Sequence, residues 1–348
     1  MTEPIINQTL STPLEVLDKI LALNLDITLW SARTKLTAED FGGAELPPED
    51  LASLGSKRIC DPARLSVFTK LKARAVTLLN KHGVRFLSGW AIPEDKAGDI
   101  IQELCAIRDE FFTEKQSFLA TYDEGIAEWI ARHPAWAGII QNSTVSRDYV
   151  DGRMKFAWQI YRVAPASGRD TRSVMPGTGL TDEVKNLGNT LFSEISRDAS
   201  EIWRKVFEGK TEVTHKALSP LKTMRDKLLG LSFVEPHVVP VIGLIETALG
   251  KMPKKGTISG APLLMLQGLV CILKEESTLI SQTQTLLAVS SQDDLGDVLD
   301  SFISLPAGPV LNLDDLPQDD IPQDNSGDPV LLPTYTPPAL NLDSMGLW

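Results

Sequence analysis

Cysteine is scarce: Cys60, Cys105 and Cys271 are the only three among 348 residues. They are odd in number, widely spaced and never arranged as CxxC, which excludes a readable disulfide framework or zinc ribbon. Histidine is nearly as sparse. His82, His133, His215 and His237 stand at expected helix ends or beside prolines. None sits in HExxH or His-x-His, or has a carboxylate at ligand spacing, so no metal site is expected. Ser31, Ser88 and Ser143 lack a GxSxG frame, which leaves a serine nucleophile without support. The run Met175-Pro-Gly177-Thr-Gly179-Leu-Thr181 resembles a phosphate-cradling loop but has no lysine to reach the phosphates. A hinge followed by a Thr N-cap explains it better. Long apolar runs are missing as well. The most apolar stretch, 262–273, is interrupted by Gln267 and is too short to span a bilayer. The opening Met-Thr-Glu-Pro offers neither a basic n-region nor an apolar h-region, so a cytoplasmic protein without a leader or membrane segment is expected. These absences point away from an enzyme and from any cofactor.

What is present is uneven charge. The net charge of −12 divides into −7 on residues 306–348, which hold seven aspartates and no Lys, Arg or Glu, and −5 on the rest. In the opposite sense, the segment 57–85 carries eight basic residues against Asp61 alone. A contrast of this size within one chain says more about partners than the overall balance does.

Periodicity supplies the fold. Ile100, Leu104, Ile107, Phe111, Phe118, Tyr122 and Trp129 recur at helical spacing, with Phe112, Leu119 and Ile126 beside them. The spacing predicts one helix from Pro93 to about His133, roughly 60 Å long at 1.5 Å per residue. A chain this long needs companions, and a second helix starting at Thr181, with Val184, Leu187, Leu191, Ile195, Ile202 and Val206 as its stripe, is the first candidate to lie against it. A short helix over 12–24 and another over 62–82 are expected, the latter closed by Gly83 as a left-handed cap. Strands are expected at Leu25–Leu29, Val84–Ile92 and Arg153–Val163. They imply a small sheet with right-handed crossovers. Further helical patterns occupy 213–231, 236–250, 262–289 and 293–303. The fold class is therefore α+β, mainly α, with a long antiparallel helical arm, a small β-sheet near the N-terminal half and a disordered acidic tail. Three parts are expected: 1–175 with the sheet and long helix, 176–305 helical and packed on that helix, and 306–348. The last holds eight of the chain's 22 prolines and its seven aspartates, a composition that cannot bury enough surface to offset its own ordering.

Two features are candidates for binding. Lys70, Arg74 and Lys81 line one side of the 62–82 helix, and Arg153 and Lys155 belong to a second positive region; both could meet nucleic-acid phosphates. They could equally pair with carboxylates of neighbouring helices. The tail repeats a motif: Pro309-Val-Leu311-Asn312-Leu313-Asp314 returns as Pro338-Ala-Leu340-Asn341-Leu342-Asp343, and the chain ends on Trp348. Leu311, Leu313, Asp314, Leu340, Leu342, Asp343 and Trp348 are thus candidate partner-binding residues, apolar anchors beside an aspartate of the kind that docks a groove. Two copies raise effective concentration at a multi-site partner.

Three stretches carry a family resemblance: Leu25-Asp-Ile-Thr-Leu-Trp30, Leu54-Gly-Ser-Lys-Arg-Ile-Cys-Asp-Pro62 and Gly83-Val-Arg-Phe-Leu-Ser-Gly-Trp-Ala-Ile-Pro93. Together they resemble the domain of unknown function 3150 family, over about residues 20–290. That resemblance implies an accessory protein of proteobacterial plasmids and integrating conjugative elements. It also implies a gene setting beside a MoxR/cobaltochelatase-type AAA+ ATPase and a von Willebrand A-domain protein. The family brings no catalytic residues to carry over. The expectation is a non-enzymatic adaptor or scaffold for such partners, with a DNA-binding accessory role as the alternative and the oligomeric state left open.

Overall fold

The eleven α-helices among the described residues pack about a four-stranded sheet. The computed structural model describes residues 13–43, 52, 55–164, 179–235 and 237–276. The elements begin with α1 Pro13–Lys19, β1 Ile20–Thr28, β2 Arg33–Lys35, β3 Ser56–Arg58, α2 Ser66–His82, β4 Val84–Phe86 and β5 Gly89–Pro93. They continue with α3 Ala97–Ala120, α4 Tyr122–Arg132, α5 Ala137–Ser143, α6 Arg147–Gly152 and β6 Lys155–Tyr161. After these come α7 Gly179–Lys185, α8 Leu187–Ile202, β7 Glu212–Val213, α9 Leu218–Gly230, α10 Val238–Gly250, β8 Ile258–Ser259 and α11 Gly260–Lys274. The sheet order is β4-β5-β1-β6, and every pair is antiparallel. The protein is α+β and mainly α, with its small sheet in the N-terminal half.

Strand alternation divides the interior into two cores. On β1, Leu23 and Ile27 are buried toward α2 and α3, with Leu21 and Leu25 packed beside them. Ile20 and Ala22 face the opposite way, toward the C-terminal helices. Phe156, Trp158 and Ile160 of β6 join the first core, and Val84 and Phe86 of β4 join the second. Asn24, Asp26, Thr28, Lys155, Gln159 and Tyr161 lie on the second side beyond the helices, half-buried or exposed.

Four expectations change. The 12–24 helix ends at Lys19, because a strand covered on both faces reads as an unbroken apolar run and imitates a helical stripe. The single strand 84–92 is the hairpin β4–β5, turning at Leu87. With all pairs antiparallel, no right-handed crossover is needed. Gly83 is extended (φ −121°, ψ 174°) rather than left-handed. It is needed there because a Cβ would lie 2.7 Å from the Ala91 carbonyl oxygen and 2.9 Å from Ile92.

The long helix itself breaks at Thr121 (φ −108°, ψ 20°) into α3 and α4. The Thr121 hydroxyl donates back to Ser117 O (3.2 Å), a competition with the backbone that bends helices. The antiparallel arm is real, but its second member is α2. Phe68 meets Phe111 at 5.3 Å and Arg74 pairs with Glu110 at 2.6 Å. The helix expected to lie along it, α7–α8, packs instead on β4 and α11. Residues 277–348, including the weak 293–303 helix and the whole tail, lie outside the described residues.

Candidate functional site

A recess forms where β1 hands over to the β2–β3 ribbon. After Thr28 the chain turns through Leu29-Trp30-Ser31-Ala32, and Ala32 is held at φ 52° while only 2% exposed. A left-handed backbone costs a non-glycine residue about 1–2 kcal/mol, and here the Ile59 N–H donating to Ala32 O (3.0 Å) holds it. That turn sets Arg33 directly opposite Arg58 in the ribbon. Trp30 is fixed by edge contacts with Tyr122 at 5.8 Å and a tilted contact with Phe118 at 6.3 Å. The resulting cavity of about 310 Å³ is walled by Leu29, Trp30, Cys60, Leu65, Phe68 and Met154, and Arg33 and Arg58 supply its charge.

Neighbouring side chains lock each wall. Lys115, buried in α3, donates to Asp151 O and Met154 O (both 2.8 Å) and pairs with the Asp151 carboxylate (2.8 Å), which fixes Met154. From α4, Trp129 Nε1 donates to Arg58 O (3.2 Å) and Arg132 pairs with Asp61 (2.6 Å). Arg64 crosses α4 at Gly125, where a Cβ would fall 1.1 Å from its Nη1, and donates to Thr121 O at 2.9 Å. The Ala63 N–H and then Arg132 hold the Asp61 carboxyl below its usual range. Burial pushes the Cys60 thiol above its ordinary range.

A second cavity of about 410 Å³ lies between the C-terminal end of α2, α8 and α9. Lys227 is among its lining residues and pairs with the buried Glu194 carboxylate (2.6 Å). The second Glu194 oxygen accepts the Arg85 N–H of β4 at 3.0 Å, so the pair covers the edge strand of the sheet. Burial pushes the neighbouring Asp198 carboxyl up, against the pull of Lys227 and Arg197. Among the described residues no group of three or more His, Cys, Asp or Glu is placed to hold a metal ion.

The sequence candidates scatter. Arg74 is paired with Glu110, and Lys155 with Asp26. Arg153 lies over the Tyr149 ring at 5.1 Å. Lys70 is exposed on α2, and Lys81 lines the α2–α8–α9 cavity. Leu311, Leu313, Asp314, Leu340, Leu342, Asp343 and Trp348 lie outside the described residues. Sequence reading counted Arg58 only within the basic segment 57–85 and passed over Arg33, because their opposition exists only once the β2–β3 register is known. Two of the three stretches that carry the resemblance, ending at Trp30 and Pro62, meet in the first recess. No helix among the described residues is long and apolar enough to cross a membrane.

Nothing among curated proteins or solved structures matches the chain. One family model, Protein of unknown function (DUF3150), matches residues 17–275. That span covers the whole sheet, both cores and the Arg33–Arg58 recess, and the chain belongs to the DUF3150 family.

Proposed function

We propose that this protein is a non-enzymatic adaptor: a stiff folded body that presents surfaces, with a tail that tethers a partner. The partners are those of the setting implied by the resemblance, a MoxR/cobaltochelatase-type AAA+ ATPase and a von Willebrand A-domain protein of a bacterial mobile element. The observation that carries the reading is how the body uses its ionisable groups. Buried Lys115 and the buried Lys227–Glu194 pair, with the more exposed Arg64 and Arg132, each join two elements, and buried polar groups satisfied in this way rigidify a fold. The tail motifs at 311–314 and 340–343 supply paired apolar and acidic anchors.

The DNA-binding alternative has less support. Binding along a duplex needs several phosphate contacts, whereas Arg74, Lys155 and Arg162 are matched by Glu110, Asp26 and Glu94. Co-purification of the ATPase with the full chain and with a chain lacking 306–348 tests the proposal. Recovery is expected to fall while Tm stays unchanged. Equal recovery, or a salt-sensitive gel shift that weakens with Lys70→Glu, would count against it.

A further inference from the structure

The recess beside Trp30 combines three things that the fold does not need. Arg33 and Arg58 face each other in the ladder, an arrangement that destabilises a strand pair. Neither is paired with a carboxylate among the described residues, although the adjacent Lys57 is, through Asp40. The backbone leading to them is strained at Ala32, and strain of this kind collects at ligand sites. The arginines line a largely apolar space of about 310 Å³ that also carries Ser31, Ser66 and Thr69, at the lower bound for ligand pockets and room for about ten waters.

We propose that this recess binds an acidic peptide segment of a protein partner. An Asp or Glu carboxylate bridges Arg33 and Arg58, and a neighbouring aliphatic side chain enters the space between Trp30, Leu65, Phe68 and Met154. Guanidinium groups favour this occupant because their planar donors match a carboxylate two bonds at a time. Size and composition favour it over nucleic acid. Two arginines beside a small, largely apolar recess serve one anion and one side chain, and three of the other basic residues at 57–85 are already engaged. Arg74 is spent on Glu110, Arg64 on Thr121, and Arg85 on the Trp90 ring at 3.8 Å. The assignment rests on the adaptor reading, and adds to the tail a second contact located on the body.

The test is fluorescence anisotropy of the full chain with a fluorescein-labelled Gly-Leu-Asp-Leu-Asp-Gly peptide. Its Asn-for-Asp counterpart, a labelled single-stranded oligonucleotide and inorganic phosphate serve as comparisons. The acidic peptide is expected to bind, the Asn peptide to bind about tenfold more weakly or worse, and Arg33→Ala and Arg58→Ala each to weaken binding by about tenfold. Both side chains are exposed and make no ion pair among the described residues, so these variants should fold, and an unchanged melting curve checks that. Leu65→Glu, which fills the apolar space with charge, is expected to abolish binding. No binding of the acidic peptide, binding indifferent to both arginines, or preference for the oligonucleotide or phosphate would overturn the assignment. Loss of ATPase recovery on removing 306–348 is read separately, so failure here does not touch the tail-tether reading.

Discussion

At Lys227 a full charge is held at 4% exposure, and only the geometry around it makes that tolerable. Its ammonium meets Glu194 Oε2 at 2.6 Å, and Glu194 in turn serves the Arg85 N–H. Removing one partner leaves the other charge buried alone, which costs about 3–5 kcal/mol. Lys227→Met should therefore lower the urea unfolding free energy by about that amount. Adding Glu194→Gln should restore part of it, since the amide oxygen still accepts from Arg85 without a charge; no recovery would mean the pair is not the source of the loss. Tyr122 gives a pH signature. It is buried, donates to Val145 O at 2.9 Å, and burial pushes its pKa up to about 12 from an ordinary 10. Because the folded pKa is the higher one, the stabilisation is complete below pH 10 and is lost as pH rises toward 12. Comparing alkaline unfolding of the native protein with Tyr122→Phe should show that this part of the pH dependence disappears in the variant.

Elements were legible where one face alone is buried. The stripe Ile100–Tyr122 and the alternation in β6 read correctly because solvent marks their other side. β1 did not, since both its faces are covered near Ile20 and the alternation vanishes. The pause in the long helix is written in Thr121 and Gly125, where Arg64, 57 residues away in sequence, crosses α4 and donates to Thr121 O. Partner choice was harder still: an apolar stripe states that a helix packs, not on what, and α8 met β4 and α11 instead of α3. The β4–β5 turn carries Leu87 at φ 50° and 50% exposed. A bulky residue there costs about 1–2 kcal/mol, and its exposure means little packing is lost on replacement. Leu87→Asn should raise the unfolding free energy by about 1 kcal/mol. Unchanged or lower stability would assign that side chain a packing role.

Among the described residues, the four-stranded antiparallel sheet has a separate apolar core on each side. The α2–α3 arm and its recess belong to one core, and the C-terminal helices to the other. Fold class was readable because hydrophobic patterning is a local property. The recess was not, because Trp30, Arg58 and Met154 meet only through the register of two strand ladders and the Lys115 tie. Membership in the DUF3150 family covers this body but assigns no chemistry to it, and an adaptor is a claim about where partners touch. Hydrogen–deuterium exchange of the full chain, with and without the AAA+ ATPase, measures that directly. Added protection is expected at 309–316, at 338–345 and around Arg33 and Arg58, with both cores unchanged. Exchange unaltered along the whole chain, or protection confined to the α2–α8–α9 cavity, would contradict the account.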